Sequence, residues 1–98
     1  MWLLVENFIY VLKPVRTTFL QDSTEEERNI VSEHFHYLQN LNKEKTVSLA
    51  GRTEQAEFGI VILKTESLQH AKEFMQNDPA VKKNVMTAEL YPFLIALN

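Results

Sequence analysis

Apolar side chains fall into a small number of runs along this chain, and the spacing within the runs changes from one to the next. Asn7 to Val15, NFIYVLKPV, is dense in β-branched and aromatic residues and closes at a proline, as a strand edge does. The period then lengthens. Ile30, Tyr37, Leu38 and Leu41 recur at helical spacing with Val31 beside them, which predicts a helix from Thr24 to about Asn42. Its start is signalled by Asp22 or Ser23 as cap. Ser23 followed by Glu26 fits a capping box, and Glu25 to Glu27 put negative charge on the first turn. Thr46 to Thr53, TVSLAGRT, sets Val47, Leu49 and Gly51 against Ser48, Ala50 and Arg52, a strand alternation. Phe58 to Lys64, FGIVILK, is a strand apolar on both faces, and the polar Glu54 to Glu57 makes a hairpin with its predecessor. Ser67 to Asn77 returns to helical spacing with Leu68, Ala71, Phe74 and Met75 inward. Asp78-Pro79 stops this helix, because a residue before proline avoids helical geometry. Thr87 to Leu97, TAELYPFLIAL, is a fourth strand in which Pro92 requires an edge position or a bulge.

The order β-α-β-β-α-β is that of an α+β, ferredoxin-like sandwich: a four-stranded antiparallel sheet with two helices on one face. The first, third and fourth strands are apolar at nearly every position, whereas a solvated sheet face alternates with polar residues. The face away from the helices therefore needs a cover. No element is left over to supply it, so a homodimer through the sheet face is expected.

Composition narrows the function classes. Ninety-eight residues suffice for one domain, spanning 1–98, with a modest core. Without cysteine there is no disulfide, thiolate nucleophile or cysteine metal cage. The formal charge of −3 argues against a phosphate-tracking surface, and no nucleic-acid partner is expected. The segment EFGIVIL approaches the RNP1 pattern of RNA-recognition motifs, but Ala56, Glu57 and Ile60 stand where that pattern has a basic residue, a glycine and an aromatic. The opening MWLLVEN lacks a basic region and is interrupted by Glu6, unlike a signal peptide, and no apolar run approaches the ~18 residues of a membrane span. The expectation is a cytoplasmic domain with no membrane partner.

Candidate chemistry centres on SEHFHYL, which holds two of the three histidines. At about 100° per residue, and with Ile30 at zero, the apolar stripe of the first helix centres near about 40°. His34 falls at about 40° and His36 at about 240°. The pair cannot chelate a metal from one helix face. His36 and, on the second helix, His70 are expected in solvent, while His34 points inward. An inward histidine is either a hydrogen-bonded core residue or a proton-transfer group at the floor of a cleft, and the second role needs an orienting carboxylate. Asp78 is the candidate partner. It equally suits an Asx-type turn that ends the second helix, and from the residues alone that capping role is the simpler reading. Ser48 and Arg52, near the end of the second strand, are placed to bind an oxyanion or carboxylate. There is no HxxxH, GxGxxG, phosphate-binding loop or serine elbow, so neither a metal nor a cofactor is expected.

Several segments together resemble the YciI-like (YCII-related) family of the dimeric α/β-barrel superfamily. They are the opening strand FIYVLKP, the helix SEHFHYLQNL with its histidine followed by leucines, the strand VSLAGR, the segment FGIVILKTESLQHAKEFMQNDPAV and the closing Tyr91-Pro92-Phe93. The resemblance runs over roughly residues 7 to 95. It implies a ferredoxin-like protomer, a dimer packed sheet to sheet and an active site built on a histidine and an aspartate, here His34 and Asp78. Two positions depart from the family pattern. Ala80 stands where an aromatic commonly follows Asp-Pro, and Gly51-Arg52 replaces a Gly-Pro turn. Both changes widen or re-charge the pocket. The function expected is a cofactor-independent enzyme of lyase or isomerase type acting on a small, cyclic organic molecule. The alternative is a non-catalytic small-molecule-binding or regulatory module.

Overall fold

A computed structural model describes residues 6–97. The opening residues 1–5, which carry most of the MWLLVEN segment weighed above as a leader, lie outside the described residues. The elements run β1 (Glu6–Pro14), α1 (Phe19–Asp22), α2 (Glu25–Lys43), β2 (Val47–Arg52), β3 (Gly59–Thr65), α3 (Leu68–Asn77), α4 (Pro79–Lys82) and β4 (Met86–Pro92). The four strands form one antiparallel sheet in the order β2-β3-β1-β4, the ferredoxin-like arrangement.

Register assigns the two faces. Tyr10 lies opposite both Val61 and Leu90, and Leu12 opposite Gly59 and Ala88. Phe8, Tyr10 and Leu12 of β1 therefore share a face with Val61 and Leu63. Leu38 and Leu41 of α2, Val47 of β2 and Ala71 of α3 complete this core. Phe19 of α1, Ile30 of α2 and Val85 form a smaller cluster where the chain enters β4. The opposite face carries Ile9, Val11, Ile60 and Ile62, half-buried along the two central strands.

Helix α2 begins one residue later than the capping pattern predicts. Thr24, not Ser23, accepts from the Glu27 backbone N–H, and the Glu27 carboxylate accepts in return from the Thr24 N–H. Arg16 decides between the two frames. Its guanidinium spans both Glu27 oxygens, at 2.8 and 2.7 Å, and reaches Asp22 at 2.8 Å. At its other end α2 closes in a Schellman turn. Thr46 N–H donates to the Leu41 carbonyl, Lys45 N–H donates to the Asn42 carbonyl, and Lys45 sits in the left-handed region at φ 69°.

Four further expectations are corrected. The alternation in β2 breaks at a bulge between Val47 and Leu49, so Val47 faces the helices and Leu49 lies opposite Ile62 on the other face. Strand β4 spans Met86–Pro92 rather than Thr87 to Leu97, and Phe93 to Leu97 continue beyond it without strand pairing. Its outer face is not apolar throughout, because the polar Thr87 and Glu89 stand there beside Tyr91 and alternate with inward Met86, Ala88 and Leu90. Leu68, expected inward, is exposed on the first turn of α3. Pro92 ends an edge strand, where its missing N–H removes no interior ladder bond. The short helices α1 and α4 fall in segments without helical periodicity, four residues being too few to show one. Among the described residues, no helix is long and apolar enough to cross a membrane.

Candidate functional site: a buried carboxylate behind a cavity histidine

Asp78 occupies the joint between α3 and α4. Pro79 holds it at φ −61°, ψ 124°, outside helical geometry, and then serves as the first residue of α4. The chain turns sharply there, and the carboxylate is directed into the protein, where Asp78 is fully buried. A buried carboxylate needs several donors, because it has lost all its hydration. Three are present. The Ala80 backbone N–H reaches Oδ1 at 3.0 Å, the Tyr10 hydroxyl reaches Oδ2 at 2.7 Å, and His34 Nδ1 lies 2.7 Å from Oδ1 and 2.8 Å from Oδ2. The turn-capping role and the histidine contact, alternatives in sequence, are both filled by the same carboxylate.

An ionised carboxylate only accepts, so with Asp78 ionised the proton shared with His34 sits on Nδ1. This leaves Nε2 for whatever meets the other edge of the ring. The His34 side chain retains 13% exposure, and it lines a cavity of about 680 Å³ between α2 and the sheet. The floor comes from Leu12, Gly59 and Val61 on the sheet, and Val31, Leu38 and Asn42 of α2 form a wall. Roughly 300–1,000 Å³ is usual for a small-molecule site. Among the described residues, no three His, Asp or Glu side chains converge as metal ligands.

Tyr10 is the site residue that sequence reasoning missed. It sits between Phe8 and Leu12 on the inward period of β1, indistinguishable by pattern from an ordinary core aromatic. The available signal was chemical: a phenol on a fully buried face needs an acceptor. Burial, and then the negative charge of Asp78, raise its pKa well above the usual phenol value, so it remains a donor. Tyr37, half-buried on α2, donates to the Phe74 carbonyl at 2.7 Å. Its pKa is pushed up to about 12, by burial first and by Asp78 second.

The other expected site residues are separated by the bulge in β2. Arg52 follows it, on the cavity side, and lines the cavity. Ser48 is the bulged residue itself. It is exposed and lies outside the cavity lining. His36 and His70 are exposed, as helical geometry requires.

Fold and site together define a ferredoxin-like α+β protein with a histidine–aspartate pair at a cavity between α2 and the sheet. The YCII-related domain matches residues 11–93, and the chain belongs to that family. Among solved structures it is similar to 5-chloro-2-hydroxyhydroquinone dehydrochlorinase from Burkholderia phenoliruptrix, in complex with 2,5-dihydroxybenzoquinone. The TM-score is 0.65 at 18% identity, over 89% of this chain and 93% of that one. No curated protein matches the chain.

Proposed function

We propose that this protein is a cofactor-independent enzyme that performs lyase- or isomerase-type acid/base chemistry on a small cyclic organic molecule. His34 is the proton-transfer group and Asp78 holds its tautomer. The observation that carries this reading is the 2.7 Å contact between cavity-lining His34 and fully buried Asp78. A core histidine needs a partner but no cavity, and a turn-capping aspartate needs no imidazole. A general base needs orientation from behind and access from the front, and the contact with Asp78 and the place of His34 in the cavity lining support that role. A dehydrochlorinase of the same fold adds support for an enzyme in this family.

The step is elimination or its proton-shift equivalent. Nε2 takes a proton from a ring O–H or C–H of the substrate. The electron pair released moves into the ring, and a halide or other leaving group departs with the electrons of its own bond. The imidazolium formed is balanced by the Asp78 carboxylate until its proton passes to water, or, in an isomerisation, to another ring carbon. The role expected of Ser48 is not carried into this reading, because its side chain is exposed away from the cavity.

We further propose a homodimer through the outer sheet face. Leu49 and Tyr91 are exposed beside the half-buried isoleucines there, and Leu94 and Leu97 of the segment after β4 are 94% and 93% exposed.

The enzymatic reading is tested on chlorinated hydroxyhydroquinones by following chloride release. Turnover by the wild type should fall by about 10²–10⁴-fold in His34→Ala and in Asp78→Asn, with the fold retained by circular dichroism. Full turnover by a folded His34→Ala variant on any substrate the wild type converts overturns it. Saturable binding of the same compounds without chloride release points to the non-catalytic module.

A further inference from the structure

The cavity has a second polar pole at Arg52. Among the described residues that line it, Arg52 and His34 are the only ionisable side chains, and no Asp or Glu faces it. The remaining lining is mostly apolar, with Leu12, Leu38 and Phe58 among it. Arg52 has no carboxylate partner among the described residues. Arg52 is exposed, and one nitrogen, Nη1, donates to the neighbouring Thr53 and Glu54 carbonyls at 3.0 Å each, which tethers the guanidinium and leaves its other donors without a hydrogen-bond partner among the described residues. Arg16 provides the contrast, with its charge matched by two carboxylates.

Gly59 keeps this arrangement open. It lies opposite Arg52 across β2–β3 and opposite Leu12 across β1–β3. A Cβ at Gly59 would stand 3.5 Å from the Arg52 Cβ and 3.0 Å from the Gly51 carbonyl oxygen. Glycine thus leaves room on the cavity floor beside the arginine stem.

We infer that the cavity selects small organic anions, a carboxylate or an ionised ring hydroxyl, with Arg52 as the anchoring residue and His34 at the other polar pole. The inference rests on the reading that this cavity is the ligand site. A permanently charged guanidinium that lines an apolar cavity, unmatched by any acid among the described residues, favours an anion over a neutral isostere of the same shape. The chain as a whole is acidic, at −3, so this preference belongs to the cavity and not to the surface.

The test compares two matched pairs by NMR titration of the full chain: benzoate against benzamide, and 2,5-dihydroxybenzoquinone against its dimethyl ether. In at least one pair the anion should bind about tenfold more tightly, with shifts at Arg52 and Gly59. Arg52→Gln should abolish the preference, Arg52→Lys should keep part of it, and His36→Ala, exposed and outside the cavity lining, should retain it. Equal binding of anion and neutral compound, a preference that survives Arg52→Gln, or absence of binding by all four probes overturns the inference. The two readings fail separately. Turnover that depends on His34 without anion preference removes only the role of Arg52. Anion preference in a protein whose His34→Ala variant is unimpaired in turnover removes only the catalytic reading.

Discussion

Asp78 carries more of this protein than any other single residue. Its carboxylate closes the α3–α4 joint through Ala80, accepts from Tyr10 in the core and orients His34 at the cavity. Removing it strands three buried or half-buried donors at once. Asp78→Ala should therefore destabilise the fold by about 3–5 kcal/mol in urea unfolding, well above the ordinary cost of losing a turn cap. Tyr10→Phe is the milder probe. It deletes one hydrogen bond to a charged acceptor and keeps the ring that fills the core, so a loss of about 1.5–3 kcal/mol is expected. A cost near zero would mean that the phenol is an ordinary core aromatic. The pairing of His34 with Asp78 was legible as a possibility, because helical phase turned one histidine inward and Asp-Pro marked a turn. Tyr10 was not legible in that way. Period-2 patterning reports the face of a side chain and says nothing about what its hydroxyl meets across 68 residues of chain.

Among the elements, α2 positions the histidine, and its two ends show how local sequence sets a helix in place. At the start, the hydrogen bond from Arg16, followed by that from the Thr24 backbone N–H, lowers the Glu27 pKa from its ordinary value of 4.5 to about 2. A carboxylate whose folded value is depressed contributes stability above its unfolded value and loses that contribution as pH falls toward the folded one. The stability Glu27 contributes should therefore be full above about pH 5 and decline between about 4.5 and 2. Glu27→Gln should flatten this part of the acid-unfolding curve, and an unchanged curve would remove the pair from the account of helix stability. At the far end, Lys45 pays a steric penalty in the left-handed region that glycine avoids. Lys45→Gly should raise stability by about 0.5–1 kcal/mol, measured by the denaturation midpoint. The one-residue error in the predicted cap has the same physical origin as these effects. Ser23-Glu26 and Thr24-Glu27 are equal candidates by spacing, and a guanidinium from eleven residues upstream decides between them.

For the whole molecule, the outer sheet face sets the question of assembly. Two central strands present four β-branched side chains there, flanked by exposed Leu49 and Tyr91. Light scattering at micromolar concentration should give twice the 11.4 kDa chain mass. A Leu49→Asp, Tyr91→Asp double variant should shift it toward one chain mass, and a wild type that scatters as a monomer defeats the dimer. The strand and helix order, the inward phase of α2 and the stop at Asp78-Pro79 followed from sequence alone, because each depends on periodicity or on backbone sterics within a few residues. The bulge in β2, the early end of β4, the four-residue helices and the convergence of Tyr10, His34 and Asp78 came from tertiary structure. Register between strands and the meeting of distant side chains depend on how the elements pack, and no local period encodes that.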